Sequence, residues 1–309
     1  MLSAMASRSA RAPLTTRLLT TRLLTASLLG TTLVTALLAA CAPADDPAGA
    51  PGTATPVPGL QCAKSTLKTM TAGKLTVGTD EPAYAPWYSD NKPENGEGFE
   101  SAVAYAVADR LGFAKDEVVW TRVTFNNAIA PGPKPYDFDI NQFSITDERR
   151  QAVDFSAPYY LVRQSVITYK GSKIDGAGSL ADLKSAKLGA QVGTTSYDAI
   201  VRLIAPTTQP AVFNSNDDAK KALQNGTVDG LVVDLPTAFY MTAAELDNGA
   251  IVGQLPQVGV PEQFGIVLDK DSPLTECVSE AVDQLRQDGT LAVLEKTWLA
   301  GTDGAPELQ

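Results

Sequence analysis

Arg149, Asp234 and the turn Gly193-Thr194-Thr195 are the positions where this sequence offers recognisable chemistry. An arginine guanidinium is a planar fork that can take a carboxylate through two parallel hydrogen bonds. Asp234 ends the apolar run Leu231 to Val233, where a carboxylate is costly to bury without a cationic partner. The Gly193 turn aims backbone N–H groups from the start of a helix, a ready anion site. Together they describe a site for a molecule that carries both a carboxylate and an ammonium. The alternative for Arg149 is a surface pairing with Asp147 or Glu148. The chain contains no histidine, which removes the commonest general base. No serine stands in a GxSxG setting and no cluster has metal-ligand spacing, so hydrolase and metalloenzyme readings are poor and no cofactor is implied.

The elements that must hold these residues alternate between short β-branched runs and amphipathic stretches, which predicts an α/β fold. Lys74 to Thr79 reads as a strand, and Phe99, Val103, Ala106, Val107 and Leu111 have helical spacing before Gly112. A second strand, Val118 to Val123, leads into a loop interrupted by Pro131, Gly132, Pro133 and Pro135. Ser179 caps a short helix, Lys187 to Val192 is a strand ending at Gly193, and Thr194, Thr195 and Ser196 open the next helix. Asn216 reads as the cap of a helix closed at Gly226. Leu231 to Val233 and Gly265 to Leu268 are strands, and two helices follow Pro273 to Leu299.

The ends of the chain set its destination. Arg8, Arg11, Arg17 and Arg22 precede an uncharged apolar run from Leu23 to Ala40, the pattern of a secretory signal. Threonines and a serine dilute that run, and Asp45 and Asp46 lie beyond it, so it is a poor stop-transfer helix. Residues 42–58 hold no aromatic residue and cannot offset their ordering entropy, so residues 41–61 read as a tether. The whole chain carries 25 Lys+Arg against 35 Asp+Glu; removing residues 1–40 leaves 21 against 35, about −14, which disfavours nucleic acid as a partner. Cys62 and Cys277 form an even pair, read as one disulfide or as two buried thiols.

Leu38-Ala39-Ala40-Cys41 resembles the bacterial lipobox, which implies lipidation of Cys41 and placement on the outer face of the cell membrane. The segment DFDINQFSITDERRQAVDFSAPYY at 137–160 closely resembles the signature of the family 3 bacterial extracellular solute-binding proteins. GTDEPAYAPW at 78–87, GFESAVAYAVADRLG at 98–112, GAQVGTTS at 189–196 and GTVDGLVVDLPTAFY at 226–240 extend the resemblance over essentially all of the mature chain. It implies a two-lobed α/β fold with two crossing hinge segments: residues 62–162 and 264–301 in the first lobe, 168–259 in the second, and 302–309 as a tail. Cys62 and Cys277 then share a lobe.

By the same resemblance, Arg149 clamps a ligand carboxylate with help from Gln142, Ser144, Thr194 and Thr195. Asp234 holds an ammonium, and Tyr84 and Trp87 contact the ligand body, with Asp80 nearby. Trp87 reads equally well as core. Glu100 stands where the family helix often opens with an aspartate; it is either a specificity element or an exposed first-turn acid, and the helix dipole favours the second. The implied role is capture of an amino acid or similar zwitterion, as a monomer, for the permease and ATPase of an ABC importer. An enzyme resembling the periplasmic cyclohexadienyl dehydratases and a sensory receptor are the alternatives on the same fold.

Overall fold

A computed structural model of the protein describes residues 62–301 and 304–309; Cys41, the signal and the tether lie outside them. The strands in chain order are β1 (Leu75–Thr79), β2 (Val118–Arg122), β3 (Phe138–Asp139), β4 (Val153–Val162), β5 (Gln164–Tyr169), β6 (Leu188–Gln191), β7 (Ala211–Phe213), β8 (Gly230–Asp234), β9 (Gly249–Gln254) and β10 (Glu262–Asp269). The helices are α1 (Phe99–Arg110), α2 (Phe125–Ile129), α3 (Thr195–Ala199), α4 (Asn216–Gln224), α5 (Leu235–Tyr240), α6 (Thr275–Gln287) and α7 (Thr290–Trp298). One sheet runs β2-β1-β3-β10-β4 and the other β7-β6-β8-β5-β9. Each sheet with its helices is a lobe. The chain passes from the first to the second between β4 and β5, and returns between β9 and β10.

Each lobe is positioned by burial of one helix face on its sheet. In α1, Phe99, Val103, Val107 and Leu111 recur at helical spacing and are buried. The α1 backbone can abut Trp87 because Gly98 has φ +97° and no side chain; a Cβ there would sit 2.4 Å from the Trp87 carbonyl oxygen. Trp87, Phe99, Tyr160 and Phe264 form a ring cluster with centroids 5.4–6.1 Å apart. Two expectations from the sequence change. The cap of α4 is Ser215, whose hydroxyl accepts from the Asp218 N–H at 3.2 Å, and Asn216 is already helical. Glu100 is not an exposed first-turn acid: it is completely buried, because the helix face that carries Phe99 turns it toward β3 and β4.

Cys62 and Cys277 are joined in a disulfide, with Cα atoms 5.4 Å apart, at the edge of the first-lobe core. The last residues return to the second lobe. The Gln254 N–H donates to Pro306 O at 2.7 Å, the Leu308 N–H donates to Gln254 O at 2.9 Å, and Leu308 is buried with Val252 and Leu255. Residues 304–309 therefore form a docked, strand-like segment.

The first-lobe core contains an unusual acid. Asp139 on β3 is fully buried over Gly78, and neither carboxylate oxygen has a hydrogen-bond partner among the described residues. Burial pushes its carboxyl well above the usual range, and the Glu100 and Asp80 carboxylates add to the effect. Glu100 is pushed by burial from 4.5 to about 7. A carboxyl raised in the folded state contributes stability below its unfolded pKa and loses it as pH rises through the folded value. Glu100 thus erodes stability between pH 4.5 and about 7, and Asp139 continues in the same direction. Asp139→Val is expected to stabilise the protein at pH 8 by about 1–3 kcal/mol, with a smaller gain at pH 5, in urea unfolding. An equal gain at both values rejects the charge as its source. Replacing Cys62 and Cys277 by serine should cost about 2–5 kcal/mol in the same assay without altering cleft affinity at temperatures where the variant is folded.

Candidate functional site

The cleft between the lobes is lined from the first lobe by Asp80, Tyr84, Phe125, Asn141, Gln142 and Arg149, and from the second by Gln191, Thr194, Thr195, Ser196, Asn216, Val233 and Asp234. Arg149 opens a single helical turn, Arg149–Gln151, just before β4. Its Nη1 donates to Ser144 O at 2.7 Å and its Nη2 reaches across the cleft to Gly193 O at 2.9 Å. The guanidinium lies over the Phe125 ring, 5.3 Å from its centroid. These contacts lock its plane and leave its remaining N–H groups for a ligand. Gly193 takes φ +75°, which favours glycine, and a Cβ there would lie 2.7 Å from Asn126 Oδ1.

Asp234 stands at the end of β8, half-buried, and its Oδ1 accepts from Gln164 Nε2 at 2.7 Å. Desolvation and the neighbouring Glu262 carboxylate raise its carboxyl well above the usual range, while the Gln164 hydrogen bond and Arg149 oppose them. Burial lowers Arg149 from its ordinary value, with Glu262 the largest opposing charge. Among the described residues, neither Arg149 nor Asp234 forms an ion pair. The cleft therefore presents a guanidinium and a carboxyl group, each from a different lobe, with no ion pair between them among the described residues.

Sequence reasoning missed the residue that ties the cleft floor together. Glu262, the first residue of β10, accepts at Oε1 from Ser144 Oγ at 2.5 Å and from Thr195 Oγ1 at 2.6 Å, one from each lobe. Gln164 Nε2 donates to the same carboxylate at 3.1–3.2 Å, and Gln164 Oε1 accepts from Ser196 Oγ at 2.7 Å. The Ser144 and Thr195 hydroxyls thus give their single protons to Glu262, so Thr195, the one of the two that lines the cleft, turns lone-pair density to it. Thr194 caps α3: its Oγ1 accepts from the Tyr197 N–H at 3.3 Å and donates to Gln191 O at 2.7 Å. Glu262 and Gln164 each start a strand at the hinge, a position without a local sequence signal.

At the other end of the cleft, the Tyr84 hydroxyl accepts from the Asp217 N–H across the lobes at 3.3 Å. Asp80 accepts from the N–H groups of Glu81 at 2.7 Å and Phe125 at 3.1 Å, and burial raises its carboxyl. Gln142, at φ 49°, is held by Glu100 through both its backbone and its side chain. Trp87 departs from the expected ligand contact. It is fully buried in the ring cluster, does not line the cleft, and donates from Nε1 to Thr237 Oγ1 of the second lobe at 2.9 Å. The indole is large enough to complete the first-lobe core while its N–H finds a buried acceptor. Asn141, Gln191, Asn216 and Phe125 join the lining unpredicted; only their places beside the strand-end motifs hinted at them.

The chain is 29% identical over 231 residues to a probable histidine-binding protein of Campylobacter jejuni, covering 72% of this chain and 84% of that one. It is 32% identical over 213 residues to the ABC transporter glutamine-binding protein GlnH of Bacillus subtilis, covering 67% and 75%. An ancestral arginine-binding protein solved with bound glutamine superposes with a TM-score of 0.62 at 32% identity, covering 74% of this chain and 99% of that one. The family model for the bacterial extracellular solute-binding proteins, family 3, matches residues 75–301, nearly the whole of both lobes, and the chain belongs to that family.

Proposed function

We propose that this protein captures an amino acid with a polar or cationic side chain between its lobes and presents it to the permease and ATPase of an ABC importer. The observation that carries the reading is the unpaired couple Arg149 and Asp234 facing one cleft. A ligand α-carboxylate on the guanidinium and an α-ammonium on the free Asp234 oxygen satisfy both, and each contact gains strength from the low local dielectric. Beyond the ammonium, Asp80, Asn216, Gln142 and the Tyr84 hydroxyl offer mostly acceptor groups, between the rings of Tyr84 and Phe125. This lining suits a guanidinium, imidazole or amide end. The names of the similar proteins, which bind histidine, glutamine or arginine, support the class.

Closure follows from the same contacts. The ligand bridges charges on opposite lobes, so it has a higher affinity for the closed form and shifts the open–closed equilibrium toward it. We read the chain as a receptor and not an enzyme, supported by the binding roles named for its similar proteins and by its lack of histidine. The same reading places it outside the cell as a monomer held by lipid on Cys41.

Calorimetry with L-arginine, L-histidine and L-glutamine tests the assignment. Arg149→Ala should weaken the tightest of these by about a hundredfold or more, the cost of leaving a buried carboxylate unpaired. Unchanged affinity rejects the clamp. Asp234→Asn should weaken amino acids with a free α-amino group by about tenfold or more, and their N-acetyl analogues far less. Equal weakening of both rejects the ammonium role.

A further inference from the structure

A completely buried acid with both carboxylate oxygens engaged lies behind the cleft wall. Glu100, in the first turn of α1, is completely buried, and three donors converge on it. The Gln142 backbone N–H donates to Oε1 at 2.7 Å, the Tyr159 hydroxyl donates to the same oxygen, and Gln142 Nε2 donates to Oε2. Gln142 supplies two of the three. It lines the cleft, and its backbone is held at φ 49°, a left-handed conformation that residues other than glycine adopt reluctantly.

A side-chain amide has unlike ends, and a carboxylate has no proton to give. Glu100 in its ionised form therefore accepts only the nitrogen end of Gln142. The oxygen end is left without a protein donor among the described residues, in a side chain that borders the ligand space. We propose that Glu100 is a positioning residue that sets the polarity of the Gln142 amide, turning its Oε1 toward the ligand as an acceptor for an ammonium, guanidinium or amide N–H. The inference rests on the amino-acid reading of the cleft and deepens it by assigning the residue that makes this wall an acceptor.

The same geometry makes the wall sensitive to the charge on Glu100. A protonated Glu100 can donate to Gln142 Oε1, which permits the amide to turn over and offer N–H groups to the cleft. The groups that face Glu100 are Tyr159 on β4, Asp139 on β3, Tyr88 from the loop after β1, and Gln142 itself; Asp234 at the end of β8 also feels its charge. Burial places the Glu100 carboxyl at about 7, so the two forms exchange dominance within an accessible range.

Two measurements test this. In the unliganded protein, the Gln142 side-chain amide resonances, assigned by their loss in Gln142→Asn, should titrate between pH 5.5 and 8.5 with the midpoint of the Glu100 carboxyl carbon. In Glu100→Gln that response should vanish. With L-arginine as the probe, Glu100→Gln should weaken binding about fivefold at pH 8 and less at pH 6, the scale of one hydrogen bond to a charged donor. Gln142 amide resonances that ignore pH in the wild type, or that respond identically in Glu100→Gln, overturn the proposal. If Glu100→Gln does not fold, the wild-type titration decides alone: coincident midpoints support the proposal and a static amide ends it. Absence of any Arg149-dependent binding would refute the amino-acid reading, while the resonance titration still decides the role of Glu100.

Discussion

Taking a guanidinium and a carboxylate partly out of water costs several kcal/mol per ion unless each meets a compensating charge, and Arg149 and Asp234 are kept from meeting. Backbone carbonyls and the Phe125 ring hold the first, and the Gln164 amide holds the second. Such contacts fix orientation without cancelling charge. In the function proposed above, the remaining electrostatic deficit is what a zwitterion removes, so affinity comes from relief of that deficit as much as from new contacts.

The rest of the architecture exists to keep those two groups on separate bodies that can approach. The long antiparallel pair of β4 and β10 carries both chain crossings at its end, where Val162 lies opposite Glu262. Just past that pair, Gln164 and Glu262 gather hydroxyls from both lobes. Away from the hinge, Trp87 meets Thr237, and Tyr84 meets Asp217. The lobes therefore touch at several depths of the cleft, through single directional hydrogen bonds rather than a continuous apolar interface, a pattern suited to separation at modest cost.

Much of this was legible because periodicity and local chemistry coincide. Phe99 to Leu111 and Leu231 to Val233 had the spacing of their elements, and Arg149, Asp234 and the Gly193 turn stood in motifs whose chemistry needs no tertiary context. The residues contributed by hinge strands were not legible, since Gln164 and Glu262 acquire their roles only from partners 32 to 118 residues away in the chain. Glu100 misled for the opposite reason: a first-turn acid has a sound local explanation, and only packing of α1 against β3 and β4 turns it inward. Trp87 showed the limit of a motif, which can place an aromatic residue near a site without saying on which side of the wall it stands. Strand β5 gave a weak signal, because burial on both faces erases the alternation that marks a half-exposed strand.

The docked C-terminal segment has a mechanical consequence. After α7 packs on the first lobe, residues 304–309 pair with β9 on the second, and Glu307 forms an ion pair with Arg163 at the first crossing. A body joined to another by two adjacent strands can bend about the line between them and also twist across it. The docked segment and its ion pair with Arg163 lie at the first crossing, so they stiffen it against the twist.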